Sequence, residues 1–208
     1  MSELPRETVL RLYEGAEYHY SDDMPYHNWM HALDVIGHAD EIADMAESAG
    51  NDIDRDALLL SAAWHDTDYH LPMGQESREE RSAILARSRI MRHDPDLADN
   101  VAHAIIDTTV DKCPKSSPLG VALHFADVGY LAAPNYQQFF RRLDLMRQEW
   151  GVGEDGWRDV SHRTRRFGQT VIEEAREELP QLLSPDDIER WVRRIETNLN
   201  ELHEWSHR

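Results

Sequence analysis

Lysine is nearly absent from this chain of 208 residues. Only Lys112 and Lys115 occur, and the rest of the 22 basic residues are arginines. Cysteine is scarcer still. A lone Cys113 permits no internal disulfide, and a reducing, cytoplasmic setting is expected. Ten glycines and nine prolines are too few for a linker-rich or collagen-like chain. The longest nearly apolar stretch runs only from Ala57 to Trp64, far short of the ~20 residues that span a bilayer. No membrane partner is expected. The opening MSELPRETVL lacks a basic-then-apolar pattern, so no signal peptide is expected. Positive charge is also short: 22 basic against 40 acidic residues leave a net charge of −18. Such a field repels a phosphate backbone, which argues against long nucleic acid as a partner. The acids are spread along the chain, as on a solvated surface.

What remains is helical periodicity. No window keeps period-2 alternation with β-branched enrichment. Helices are expected over 5–20, 29–48, 54–66, 76–92, 96–109, 118–132, 135–149, 155–178 and 186–206. Val9, Leu10, Leu12, Tyr13 and Ala16 form the apolar set of the first. Asn28 is a good N-cap for the second, and Gly50 a good stop. The fold class is therefore all-α. A single domain over 1–208 is expected, with a core at about 20–135 and a helical extension at about 136–208. The extension either packs on the core or offers a homodimer surface.

Twelve histidines are unevenly placed. On a helical wheel His27, His31, Asp34 and His38 fall on one side, beside an apolar face of Trp29, Ala32, Leu33, Ile36, Ala39 and Ala43. That stripe is either a metal or phosphate site or a solvated polar face. A second apolar run, ALLLSAAW, ends in His65-Asp66. There Asp66 sits against the helix dipole, unless a cation partners both side chains. A third acid, Asp127, lies in the apolar run Val121–Ala133, where it needs hydrogen bonds, a cation or solvent. His124 reads as an ordinary core histidine.

Taken together, these pieces resemble the HD superfamily of metal-dependent phosphohydrolases: a His on one helix, His-Asp ending another, an Asp on a later one. His31, His65, Asp66 and Asp127 match in order and spacing. The closer resemblance is to the branch with Tyr-His-Asn-x-x-His, here Tyr26, His27, Asn28 and His31. That branch continues with His-Asp-x-x-Tyr, here ending at Tyr69, and an acidic stretch, here Glu79, Glu80, Ser82 and Ala83. Ile105 and Thr108 also fit. Three positions depart from the pattern: Arg78 stands for Asn, Asp111 for His, and Phe125 for an acid. The match covers about residues 20–135.

The resemblance implies an HD-like helical bundle in which His31, His65, Asp66 and Asp127 hold one divalent transition metal. The mixed N/O set suits Mn, Fe, Co, Ni or Zn better than Ca. The implied reaction is hydrolysis of a small anionic phosphoester or phosphoanhydride, a nucleotide among the candidates. Metal-activated water would attack, with Asp66 bridging metal and water. Glu79 and His27 are the favoured acid/base groups; Asp68, Glu80 and His38 are alternatives. Arg78, Arg81, Lys112 and Lys115 could steer the anion, and Tyr69 or Trp29 could stack a base. Two other functions are consistent with the same residues. One is a non-catalytic metal- or nucleotide-binding module. The other is a di-iron oxygenase drawing on His27, His38, His103 or Asp34.

Overall fold

The computed structural model describes residues 4–72, 74–109 and 115–206. Among them are nine α-helices and no strand: α1 Arg6–Glu17, α2 Trp29–Ser48, α3 Arg55–Trp64, α4 Arg78–Ile90, α5 Pro95–Asp107, α6 Pro118–Asp127, α7 Tyr136–Glu149, α8 Trp157–Glu178 and α9 Pro185–Ser206. The protein is all-α, as its periodicity requires. None of these helices is long and apolar enough to cross a membrane.

Caps written in the sequence set most helix starts. Asn28 accepts hydrogen bonds from the Met30 and His31 amides and so opens α2. Asp54, Asp94, Ser117 and Asn135 cap α3, α5, α6 and α7 in the same way, each worth ~1 kcal/mol. Ser77 and Glu80 form a reciprocal capping box at α4, so Glu80 serves a helix terminus. Two expected boundaries shift. The apolar helix stops at Trp64, which leaves His65 and Asp66 in the turn beyond it. The segment expected as helix over 118–132 tightens into a 3-10 helix at Val128–Ala132. There Gly129 lies against His38, whose ring would be 2.7 Å from an added Cβ. Leu10 is half-exposed while Leu12 and Ala16 are buried. Leu10 stands about 100° round the helix from Val9, outside the face shared by Val9, Leu12, Tyr13 and Ala16.

One hydrophobic core runs through the whole bundle, from Leu12 on α1 to Leu202 on α9. Helix α2 packs on α3 and α6, α4 on α5, and α8 on α9. The C-terminal helices are tied to the rest by buried polar bonds as well as by apolar contact. Asn198 on α9, 2% exposed, donates to the carbonyls of Leu131 and Ala133, each at 3.0 Å. His124 on α6 meets Glu174 on α8 at 3.0 Å. Phe125 packs edge-on against Trp191 of α9. The position where the resembled branch has an acid therefore faces apolar packing in this chain.

Removing the Asn198 amide leaves two buried carbonyls without a donor, at ~1–3 kcal/mol for a buried group deprived of its partner. Asn198→Ala is expected to lower unfolding stability by about 2 kcal/mol or more in urea titrations. The change sits at the segment following Asp127, so metal affinity should weaken with it.

Candidate metal centre

Three helix ends meet at one point. His31 lies in the first turn of α2, three residues after its cap. His65 and Asp66 follow the last turn of α3, and Asp127 closes α6. Each end is fixed from outside. The Asn28 amide donates to the Met24 and Pro25 carbonyls, at 2.8 and 3.2 Å. Trp64, fully buried, donates its indole N–H to Leu12. Ser82 on α4 donates to the Thr67 carbonyl at 2.9 Å and pins the loop after Asp66. At the start of α6, Asp107 accepts from the Ser116 amide and hydroxyl, and Gly120 admits that carboxylate, which any Cβ would meet at 2.1 Å.

The four side chains converge with one ligand atom each, all within 4.8 Å of one another. His31 Nε2 is 3.4 Å from Asp66 Oδ2 and 3.2 Å from Asp127 Oδ1. His65 Nε2 is 3.2 and 3.5 Å from the same two oxygens. The two Nε2 atoms are 3.3 Å apart. Both histidines are almost fully buried. His65 Nδ1 donates to the Ala62 carbonyl at 2.8 Å, so its neutral form turns a bare Nε2 into the cluster. That is how a second contact orients an imidazole for a metal. Two neutral imidazole lone pairs facing each other require a cation or a proton between them. The set could hold a divalent transition metal, and it is the group of this kind among the described residues.

Without metal the protons take that place. Burial opposes charge on His31 and His65. The hydrogen bonds and charges of Asp127 and Asp66 outweigh it, raising His31 and raising His65 far above the ordinary 6.5. Burial likewise opposes ionised Asp66 and Asp127, yet the two imidazoles hold both carboxyls well below the usual range.

Around the cluster lies a layered stack. Tyr26 packs on His31 with ring centres 4.4 Å apart. Tyr69 stacks on His27 at 3.7 Å, nearly parallel. The Arg78 guanidinium covers the other side of the Tyr69 ring at 3.8 Å. His27 stands before α2 begins, so it does not share the helical stripe expected of it. Its Nε2 is 3.9 Å from Asp66 Oδ2, and its Nδ1 makes a short contact with Glu149. Glu149 also accepts from the Tyr26 and His27 amides, both at 3.0 Å. Burial pushes its carboxyl up, but these bonds to His27 and Tyr26 bring it below its ordinary value. Sequence reasoning missed Glu149. The available signal was an acid at the C-terminal residue of α7, against the helix dipole.

The other expected residues lie elsewhere. Asp34 is ion-paired with Arg142 of α7. His38 lies beneath Gly129. His103 lines a separate hollow with Ser116 and Ser117. Asp68 takes a left-handed backbone, φ 57°, and turns to His19. Glu79 is partly buried near Tyr69 without a hydrogen bond to the cluster. Arg81 donates to the Pro72 carbonyl. Lys115 is buried near Glu178 and Glu174 of α8, not at the cluster. Asp111, Lys112 and Cys113 fall outside the described residues. Trp29 packs against Tyr13 and Tyr20.

A cavity of about 340 Å³ opens over Asp127 and His27. Tyr26 and Tyr69 form one wall. Trp150, Arg163 and Phe167 form the other, so the C-terminal helices close the site. No protein-family model matches this chain, and no curated protein matches it either.

The pH dependence follows from these shifts. Raised imidazole values add stability that is complete below about pH 6.5 and disappears as pH climbs through them. Depressed carboxyl values add stability present above about pH 4 and lost on acidification. Metal-free protein is therefore expected to melt highest at about pH 4–6.5 and lower above neutrality. Metal binds the deprotonated imidazoles, so the gain in melting temperature from Mn²⁺ or Zn²⁺ should grow from pH 6 to pH 8. Thermal melts with and without metal at both pH values test this.

Proposed function

We propose that this protein is a metal-dependent phosphohydrolase of the HD type, acting on a small phosphoester or phosphoanhydride. The observation that carries the reading is the convergence of His31, His65, Asp66 and Asp127 beneath an aromatic-walled cavity. The same four residues were singled out by the sequence pattern. They would hold one ion, of Mn, Fe, Co, Ni or Zn type by their N/O chemistry. Such a metal supplies Lewis-acid polarisation of a phosphoryl oxygen and activation of water.

The chain's own groups have definable tasks. Asp66 lies next to both imidazoles and to His27 Nε2, and so borders both the metal position and a proton-carrying group. His27, clamped by Glu149 and stacked on Tyr69, presents Nε2 to the cavity edge as the acid/base group. This geometry favours His27 over Glu79 for that role. Buried Tyr26 and half-buried Tyr69 shield one side of the site from water. Arg163, at the cavity wall and without an ion-pair partner among the described residues, supplies positive charge for a phosphate. The cavity is at the low end of the ~300–1,000 Å³ usual for small-molecule sites, which favours a compact substrate.

The test is turnover of a phosphoester panel, nucleotides included, with each candidate metal. Asp66→Ala should stay folded by circular dichroism, lose its metal and lose hydrolysis. A folded Asp66→Ala protein working at the parent rate would refute the mechanism. Absence of turnover by the parent protein with every metal would favour a binding module. Glu149→Ala should lower kcat by about tenfold or more, with KM changed less, because it frees the His27 ring while leaving the metal ligands in place.

A further inference from the structure

A second cavity lies on another face of the bundle, between α1 and α4. Its volume is about 510 Å³, and Trp64 forms part of its lining. Its charged lining is entirely basic: Arg11, His19, Arg89, Arg92 and His93. In a chain with 40 acids and 22 bases, a cavity lined by three arginines and no carboxylate reverses the local sign of charge. The carboxylates near it are few. Glu7 pairs with Arg11 at 3.8 Å with both side chains largely exposed, a weak contact. Asp68 lies 3.4 Å from His19 Nδ1, on that ring's far side. Arg89 donates to His19 Nε2 at 3.4 Å. Arg92 has no hydrogen bond or ion pair among the described residues.

We propose that this cavity binds a compact, multiply charged phosphate anion. Several guanidinium groups around one hollow fit tetrahedral phosphate oxygens through forked, charge-assisted hydrogen bonds. The surrounding negative field keeps long polyanions away, while a small anion reaches the local positive well. The cavity wall continues into the loop that carries Asp66, because the His19 carbonyl accepts the Asp68 amide at 2.9 Å. The site is separate from the metal centre and does not depend on the function assigned to it.

The experiment titrates inorganic pyrophosphate into chelator-treated full-length protein at low salt, by calorimetry. Removing metal first eliminates binding through an ion held by His31, His65, Asp66 and Asp127, and the Arg89 and Arg92 variants separate this cavity from the one that Arg163 lines. Saturable one-to-one binding is expected. Arg89→Ala and Arg92→Ala should each weaken it about tenfold or more, and Arg141→Ala on α7 should not. The Trp64 indole N–H resonance should shift during the titration. No saturable binding up to millimolar pyrophosphate would overturn the proposal. So would undiminished binding by a folded Arg89→Ala/Arg92→Ala double variant, since the arginines would then be merely solvated.

Discussion

No one of His31, His65, Asp66 and Asp127 could be desolvated alone. An unpaired buried charge costs several kcal/mol, so the two imidazoles and two carboxylates are stable only as a set. That requirement reaches far into the fold. It brings the start of α2, the end of α3 and the end of α6 to one point. The devices that fix those ends then become conditions of the site. Asn28 opens α2 at the residue that sets the direction of His31. Trp64, locked to Leu12, halts α3 just before His65. Asp107 grips Ser116 beneath Gly120 and so seats α6. Four ligand atoms at three helix ends stay within 4.8 Å of one another, with their backbones held by hydrogen bonds outside the cluster.

The C-terminal helices complete this arrangement. Glu149 comes from more than a hundred residues away, yet it holds both amides of the Tyr26-His27 step and the His27 ring. The His27 ring so held stacks with Tyr69 and Arg78, which gives the motif residues a shared geometry. His27 of the first motif meets Tyr26 edge-on and stacks face to face on Tyr69 of the second. Helices α7 and α8 also supply the outer cavity wall. The helices between 136 and 206 are thus part of one core, and the site's aromatic enclosure depends on them.

Much of the fold was legible, and for an identifiable reason. Caps and prolines act locally, so Asn28, Asp54 and the helix order can be read from neighbouring residues. The two acids of the cluster were legible because they break local rules, Asp66 ending an apolar helix against its dipole and Asp127 lying within an apolar run, and the motif resemblance joined them to His31 and His65. Glu149 breaks the same rule at the end of α7, but its helix is polar and the anomaly is diluted among other charges. Its partners depend on how α7 crosses the bundle, which no local pattern encodes. Asp34 failed as a site residue for the opposite reason. It shares the helical stripe with His31, but Arg142 arrives from α7 and takes it. The separation of His27 from the stripe likewise depends on the cap at Asn28, which starts the helix at Trp29, after His27 has passed.

Net charge looks different once the acids are sorted by place. Many of the 40 lie on exposed helix faces, where beyond local caps and ion pairs they set a negative far field. That field falls off within ~8–10 Å at physiological salt, so it governs approach more than contact. Close to the protein, local groups decide. At the cluster two carboxylates face two imidazoles, so the ionised acids meet partners that are positive when protonated. A divalent cation that displaces those protons would keep the site's net charge from falling. At the cavity mouth Arg163 adds a further positive group. Between α1 and α4, Arg11, Arg89 and Arg92 stand together with no carboxylate in the lining. An acidic envelope with a few positive hollows selects by size. A compact anion can fit wholly within a hollow, whereas a long one must lie partly along the negative surface.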